Sequence, residues 1–150
     1  MATSFVGRGL AFPLQADATG ALALVGEARE LEESMRLILA TSPGERPMRP
    51  EFGSRIAEYV FAPADAATAG RLAYEVRVAL DRWETRVDVE DVTVLLDEAQ
   101  DGVLYIEIAY RVRGTNDPRN LVFPFYVIPD HDAAVPQVPA QPVPVPTGRL

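Results

Sequence analysis

Apolar residues recur along the chain at two different periods, and the change of period divides it. From Glu27 to Ala40 they step by three and four, at Ala28, Leu31, Met35 and Ile38, which puts them on one face of a helix. Glu30, Glu32 and Glu33 fall early in it, where the helix dipole favours negative charge. Thr41-Ser42-Pro43-Gly44 ends the segment. Ser54 is then placed to cap a short second helix running through Tyr59 or Val60. A third helix spans Asp65 to Arg82 behind a Pro63-Ala64-Asp65 cap. Its apolar stripe is Ala69, Leu72, Val76, Ala79 or Leu80, then Trp83, and Arg71 and Glu75 form an i, i+4 pair on its wet face.

Beyond Trp83 the period becomes two. Val92, Val94 and Leu96 alternate with polar positions, whereas Val87 and Val89 have the opposite parity, so a bulge or bend is expected near Glu90-Asp91. A turn from Asp97 to Gly102 leads to a strand with Leu104, Ile106, Ile108, Tyr110 and Val112 on one face and Glu107, Arg111 and Arg113 on the other. After a connection from Gly114 to Asn120, Leu121 to Ile128 is apolar on both faces with Pro124 in its middle. A proline inside a strand belongs at an edge or a bulge. Such an edge either pairs with another chain or is covered by a helix or the N-terminal arm, and the sequence allows both.

The expected fold is an α+β two-layer domain, about three helices packed on a three-stranded antiparallel meander. Gly7, Gly9, Pro13 and Gly20 make the opening residues an irregular arm. Six of the 13 prolines lie between Pro129 and Pro146, so residues 129–150 are expected to form an extended proline-rich tail behind a domain of residues 1–128.

Composition narrows the chemistry. The 150 residues contain no cysteine and one histidine, His131, in the tail; all 14 basic residues are arginine. That leaves no disulfide framework, thiol nucleophile, Ser-His-Asp triad or histidine zinc site for the domain. No lysine exists for a Schiff base or phosphate clamp, and neither GxxxxGK[ST] nor GxGxxG occurs, so no cofactor or metal is expected. A net charge of −8 argues against a nucleic-acid partner. Without cysteine the compartment is unconstrained and cytoplasmic assembly is the default; no apolar run reaches membrane-spanning length, and Met1 to Arg8 lack a secretion signal pattern. Among the 22 acids, Glu45, Glu51 and Glu84 stand in unusual loop or helix-end contexts, each beside arginine. A guanidinium lowers a carboxyl pKa, the wrong direction for a general acid.

The segment Gly44-Glu45-Arg46-Pro47-Met48-Arg49-Pro50-Glu51-Phe52-Gly53 is the most informative. Its prolines are expected to hold it extended and to present Glu45, Arg46, Arg49, Pro50 and Phe52 at low entropic cost. It is either a helix connector with internal ion pairs or a rigid charged surface for another protein.

The order G-x-G-L-x-F-P-L in residues 7–14, then a helix, then Thr41 to Gly53, then Trp83-Glu84-Thr85-Arg86-Val87 resembles the phage baseplate wedge proteins. This is the sheath-initiator family of contractile-tailed phages, type VI secretion systems and extracellular contractile injection particles. The resemblance covers residues 5–128. It implies a non-enzymatic structural part, present in several copies in a symmetric, six-fold assembly. Its partners would be wedge scaffold proteins, the sheath protein and inner tube or hub proteins. It also implies strands that mimic a sheath subunit, so that the first sheath ring adds by strand exchange at Leu121, Phe123, Phe125 and Val127. A family Glu-Pro-Arg motif appears here as Glu84-Thr85-Arg86, where Glu84 and Arg86 would contact the wedge scaffold with Trp83 as core residue or anchor. Two other classes remain open: a lysozyme-like enzyme acting on peptidoglycan, and an anti-adaptor-type regulatory binding protein.

Overall fold

The computed structural model describes residues 7–96, 102–115 and 117–128. The fold is α+β. Strands β1 (Arg8–Leu10) and β2 (Leu24–Gly26) pair antiparallel, and helix α1 (Glu27–Ala40) follows directly. A 3-10 turn (Ile56–Tyr59) and helix α2 (Ala66–Trp83) come next. Strands β3 (Val87–Leu96), β4 (Val103–Val112) and β5 (Asp117–Tyr126) then form an antiparallel sheet in the order β3-β4-β5.

One buried cluster joins the layers: Leu31, Met35, Ile38 and Leu39 of α1, Leu72, Val76 and Leu80 of α2, and Leu104, Ile106, Ile108 and Tyr110 of β4. Each such aliphatic side chain contributes roughly 1.5–3 kcal/mol by leaving water, which holds both helices on one sheet face. The strict alternation read in β4 is realised, since its even-numbered residues are buried throughout. The expected bulge is present too, as a register shift between Val89 and Asp91 opposite β4. Arg77 of α2 forks onto it, donating to the carbonyls of Val89 at 3.1 Å and Glu90 at 3.0 Å.

Several expectations are corrected. There are two α-helices among the described residues, not three. Ser54 does not cap a second helix: it is buried, and its hydroxyl donates to the Leu39 carbonyl at 2.9 Å, leaving a single 3-10 turn behind it. The N-terminal arm is not irregular but a hairpin, whose three-residue strands are too short for alternation to reveal. The Arg71–Glu75 pair does not form among the described residues; Glu75 acts on Arg55 instead. Strand β5 begins at Asp117, within the expected connection. Asp65 does cap α2, its carboxylate accepting the Thr68 N–H at 2.7 Å. The proline-rich tail of residues 129–150, and with it the domain boundary at residue 128, lies outside the described residues.

Candidate interaction site

Two regions carry the residues singled out in the sequence. The first lies where the α1–α2 connection meets the C-terminal end of α2. The connection is not extended. It closes on itself in turns, with Gly44 N–H donating to the Pro50 carbonyl at 2.7 Å, Arg49 N–H to Arg46 at 3.0 Å and Phe52 N–H to Arg49 at 3.1 Å. Glu45 accepts the Ser42 N–H at 3.0 Å, so it braces the loop entrance. Gly53 has φ +115 and lies so near Thr41 that a Cβ there would sit 2.1 Å from the Thr41 carbonyl oxygen. Only glycine fits that closure.

This closure brings Phe52 against Trp83, with ring centroids 5.1 Å apart and planes tilted by 57°. The Arg46 guanidinium lies 4.1 Å over Phe52, and that of Arg82 lies 4.8 Å over Trp83. The result is a cation–ring–ring–cation column with half-buried rings and an exposed arginine at each end. Arg49 and Pro50 are exposed beside it. Leu10, Phe12, Glu30, Arg46, Phe52 and Trp83 border an open cavity of about 240 Å³ between the hairpin and this column.

Beneath the column, Glu84 is 2% exposed and fully engaged. It accepts from Ser34 Oγ at 2.6 Å, Arg86 Nε at 2.7 Å and Arg86 Nη2 at 2.6 Å. Arg86 Nη1 donates to Glu30 at 2.5 Å. Burial pushes the Glu84 carboxyl up, but the bonds from Arg86 and Ser34 together with the Arg86 charge outweigh it and hold it below the usual value. Arg86 is raised, chiefly by its bond to Glu84. Glu84 therefore positions Arg86 and ties α2 to α1; its own oxygens are turned inward. Sequence alone showed the neighbourhood of Glu84 and Arg86 but not Glu30 or Ser34, which are 50 or more positions away.

The second region is β5, an edge strand as its proline requires. Leu121, Phe125 and Val127 are buried and Phe123 is half-buried against the core. Their side chains build the domain, and pairing on this strand runs through its backbone. The side chains presented outward are Val122, Pro124 and Tyr126, at alternate positions that the sequence reading did not select.

Among the described residues no cluster of His, Asp or Glu has metal-site spacing, and no helix is long and apolar enough to cross a membrane.

A family profile described as baseplate wedge protein gp25 matches residues 26–117, which take in the column, the Glu84–Arg86 pair and the β3–β4 hairpin. Baseplate protein W of Escherichia phage P2 is 27% identical over 100 residues, covering 67% of this chain and 85% of that protein. A crystal structure of a protein from Geobacter sulfurreducens described as a tail lysozyme is 44% identical, covers 71% of this chain and 97% of that one, and superposes with a TM-score of 0.65. A chain of the anti-feeding prophage baseplate is alike in fold, with a TM-score of 0.59 at 20% identity over 85% of this chain and 90% of that one.

Proposed function

The chain belongs to the baseplate wedge protein gp25 family, and from that premise we propose that it is a structural baseplate component that links the wedge scaffold to the first sheath ring. In this reading the scaffold rests on the column and its exposed rim, with Arg46, Arg49 and Pro50 in direct contact and Phe52 and Trp83 as the rings behind them. Glu84 and Arg86 serve it by locking α1 to the end of α2. The sheath contact is strand uptake at β5, which nucleates sheath assembly by β-augmentation. Assembly takes place in the cytoplasm, and the chain is present in several copies in a six-fold baseplate.

The observation that carries this reading is the pairing of two unlike surfaces in one fold: a preformed aromatic–arginine patch and a sheet edge that no strand covers among the described residues. Arginine and aromatic residues are common interface anchors, and a sheet edge takes up a strand through main-chain bonds.

A non-enzymatic role is supported by Glu84, the most buried acid among the described residues, which is held ionised by Arg86 and Ser34. A glycosidase acid needs the opposite shift. The lysozyme description is that of the Geobacter protein. Affinity purification of the tagged chain from cells making the parent particle tests the reading. Wedge and sheath proteins should copurify, and Arg46→Glu with Arg49→Glu should release the wedge partner while the sheath partner stays. Copurification of neither, or cell-wall lysis by the purified chain that Glu84→Gln removes, overturns it.

A further inference from the structure

In an antiparallel pair, residues alternate between those bonded to the neighbouring strand and those whose N–H and C=O point away from it. Val127 N–H donates to the Gly102 carbonyl at 2.8 Å, which fixes the parity for all of β5. The bonded pairs are Leu121 with Ile108, Phe123 with Ile106 and Phe125 with Leu104. The groups facing the open edge therefore belong to Pro118, Asn120, Val122, Pro124 and Tyr126. The same parity turns the Ile128 N–H outward, and it is taken by the Val60 carbonyl at 2.7 Å.

Two of these five positions are prolines, with no N–H to offer and a ring where a partner carbonyl would approach. Full two-bond pairing is thus possible at Asn120 and Val122, between the prolines, and again at Tyr126 beyond Pro124. At the opposite edge, Arg77 already bonds the Val89 and Glu90 carbonyls at the bulge, and bulges are a standard protection of sheet edges. The two edges are unequal.

We propose that Pro118 and Pro124 frame the acceptor window of β5: an incoming extended strand bonds at Asn120 and Val122, in a stretch of about five residues, and not along β3. The occupant is an apolar strand of a partner protein. It would continue the inner face past half-buried Phe123 and the outer face beside exposed Val122 and Tyr126. Paired with a second copy in the register that sets Asn120 against Val122, the window would place proline against proline and leave those carbonyls without donors, whereas a proline-free strand supplies an N–H to each. This rests on the strand-uptake reading above and adds its place and length.

The test titrates the full chain with a synthetic peptide of alternating valine and threonine with an arginine at each end, and follows amide exchange by NMR. The peptide should slow exchange at Asn120 and Val122 and leave the β3 amides unchanged. Pro124→Val restores an edge donor, so protection should extend to Tyr126 and the peptide should bind up to about tenfold more tightly. Dimerisation of Pro124→Val in light scattering, with the same amides protected, supports the same assignment. Val122→Pro removes an edge donor without removing a ladder bond and should abolish binding; Asn120→Pro is the second variant should the first not fold. Protection at β3, no protection at millimolar peptide, or unchanged binding and size for Pro124→Val overturns the proposal. No particle enters this experiment, so its failure leaves the copurification result standing, and the reverse.

Discussion

Arg86 folds back onto Glu84, with Nη2 2.6 Å from Oε2 and Nε 2.7 Å from Oε1, while Nη1 reaches Glu30 on α1. One guanidinium thus joins the end of α2 to the first half of α1 through two carboxylates. Its side chain is 26% exposed against 3% for that of Glu84, so the carboxylate is the member that cannot turn to water.

Removing the arginine should therefore cost more than an exposed ion pair would. Arg86→Ala leaves Glu84 charged, buried and short of donors, and should lower stability by about 3 kcal/mol in urea unfolding. Ser34→Ala, which removes one donor to the same carboxylate, should cost about 1–2 kcal/mol.

The pH profile should change sign at this site. In the parent chain the folded-state pKa of Glu84 lies below its ordinary value of 4.5, so its contribution is full above that pH and is lost as pH falls through the depressed value. In Arg86→Ala, burial dominates and the carboxyl moves up, so acidification toward pH 5 should narrow the gap to the parent. Urea midpoints across pH 4 to 7 check this.

Tyr110 offers a contrasting case. It is 0% exposed, and its hydroxyl has no hydrogen-bond partner among the described residues. Burial and the nearby Glu32 charge raise its pKa, keeping it a neutral phenol. Tyr110→Phe removes a desolvated hydroxyl and no bond, so stability should hold or rise by up to about 1 kcal/mol in thermal or urea unfolding.

Gly53→Ala should be among the most damaging small substitutions. A Cβ there would meet Thr41 backbone at 2.1 and 2.8 Å, at a φ of +115 that disfavours any side chain. The loop must reopen at the Ser54 N–H to Thr41 bond, and a loss of about 3 kcal/mol or more is expected. Loss of the Phe52–Trp83 contact, read from tryptophan fluorescence, should accompany it.

Patterns of neighbouring residues were legible in the sequence, and pairings across long separations were not. The periodicity of α1 gave its two ends as observed, and the parity break at Val87 and Val89 located the bulge. Pro124 marked β5 as an edge. Ser54 misled because a buried serine that donates to a helix carbonyl looks the same in sequence as one that accepts from a helix N–H. The β1–β2 hairpin escaped because its strands are three residues long, too short for an alternation to show. At the candidate site, the motif residues were visible as a block, but the Phe52–Trp83 contact spans two elements whose docking is set by the core. The same holds for Glu84, whose inward orientation follows from Ser34 and Glu30 on α1.

The column of Arg46, Phe52, Trp83 and Arg82 has a mechanical consequence. Two half-buried rings stand in contact between a loop and the end of a helix, each with a guanidinium over its outer face. A push on the loop would meet the rings, then α2, then α1 through Glu84 and Arg86. A part so built would carry load as a strut and not dissipate it as a spring.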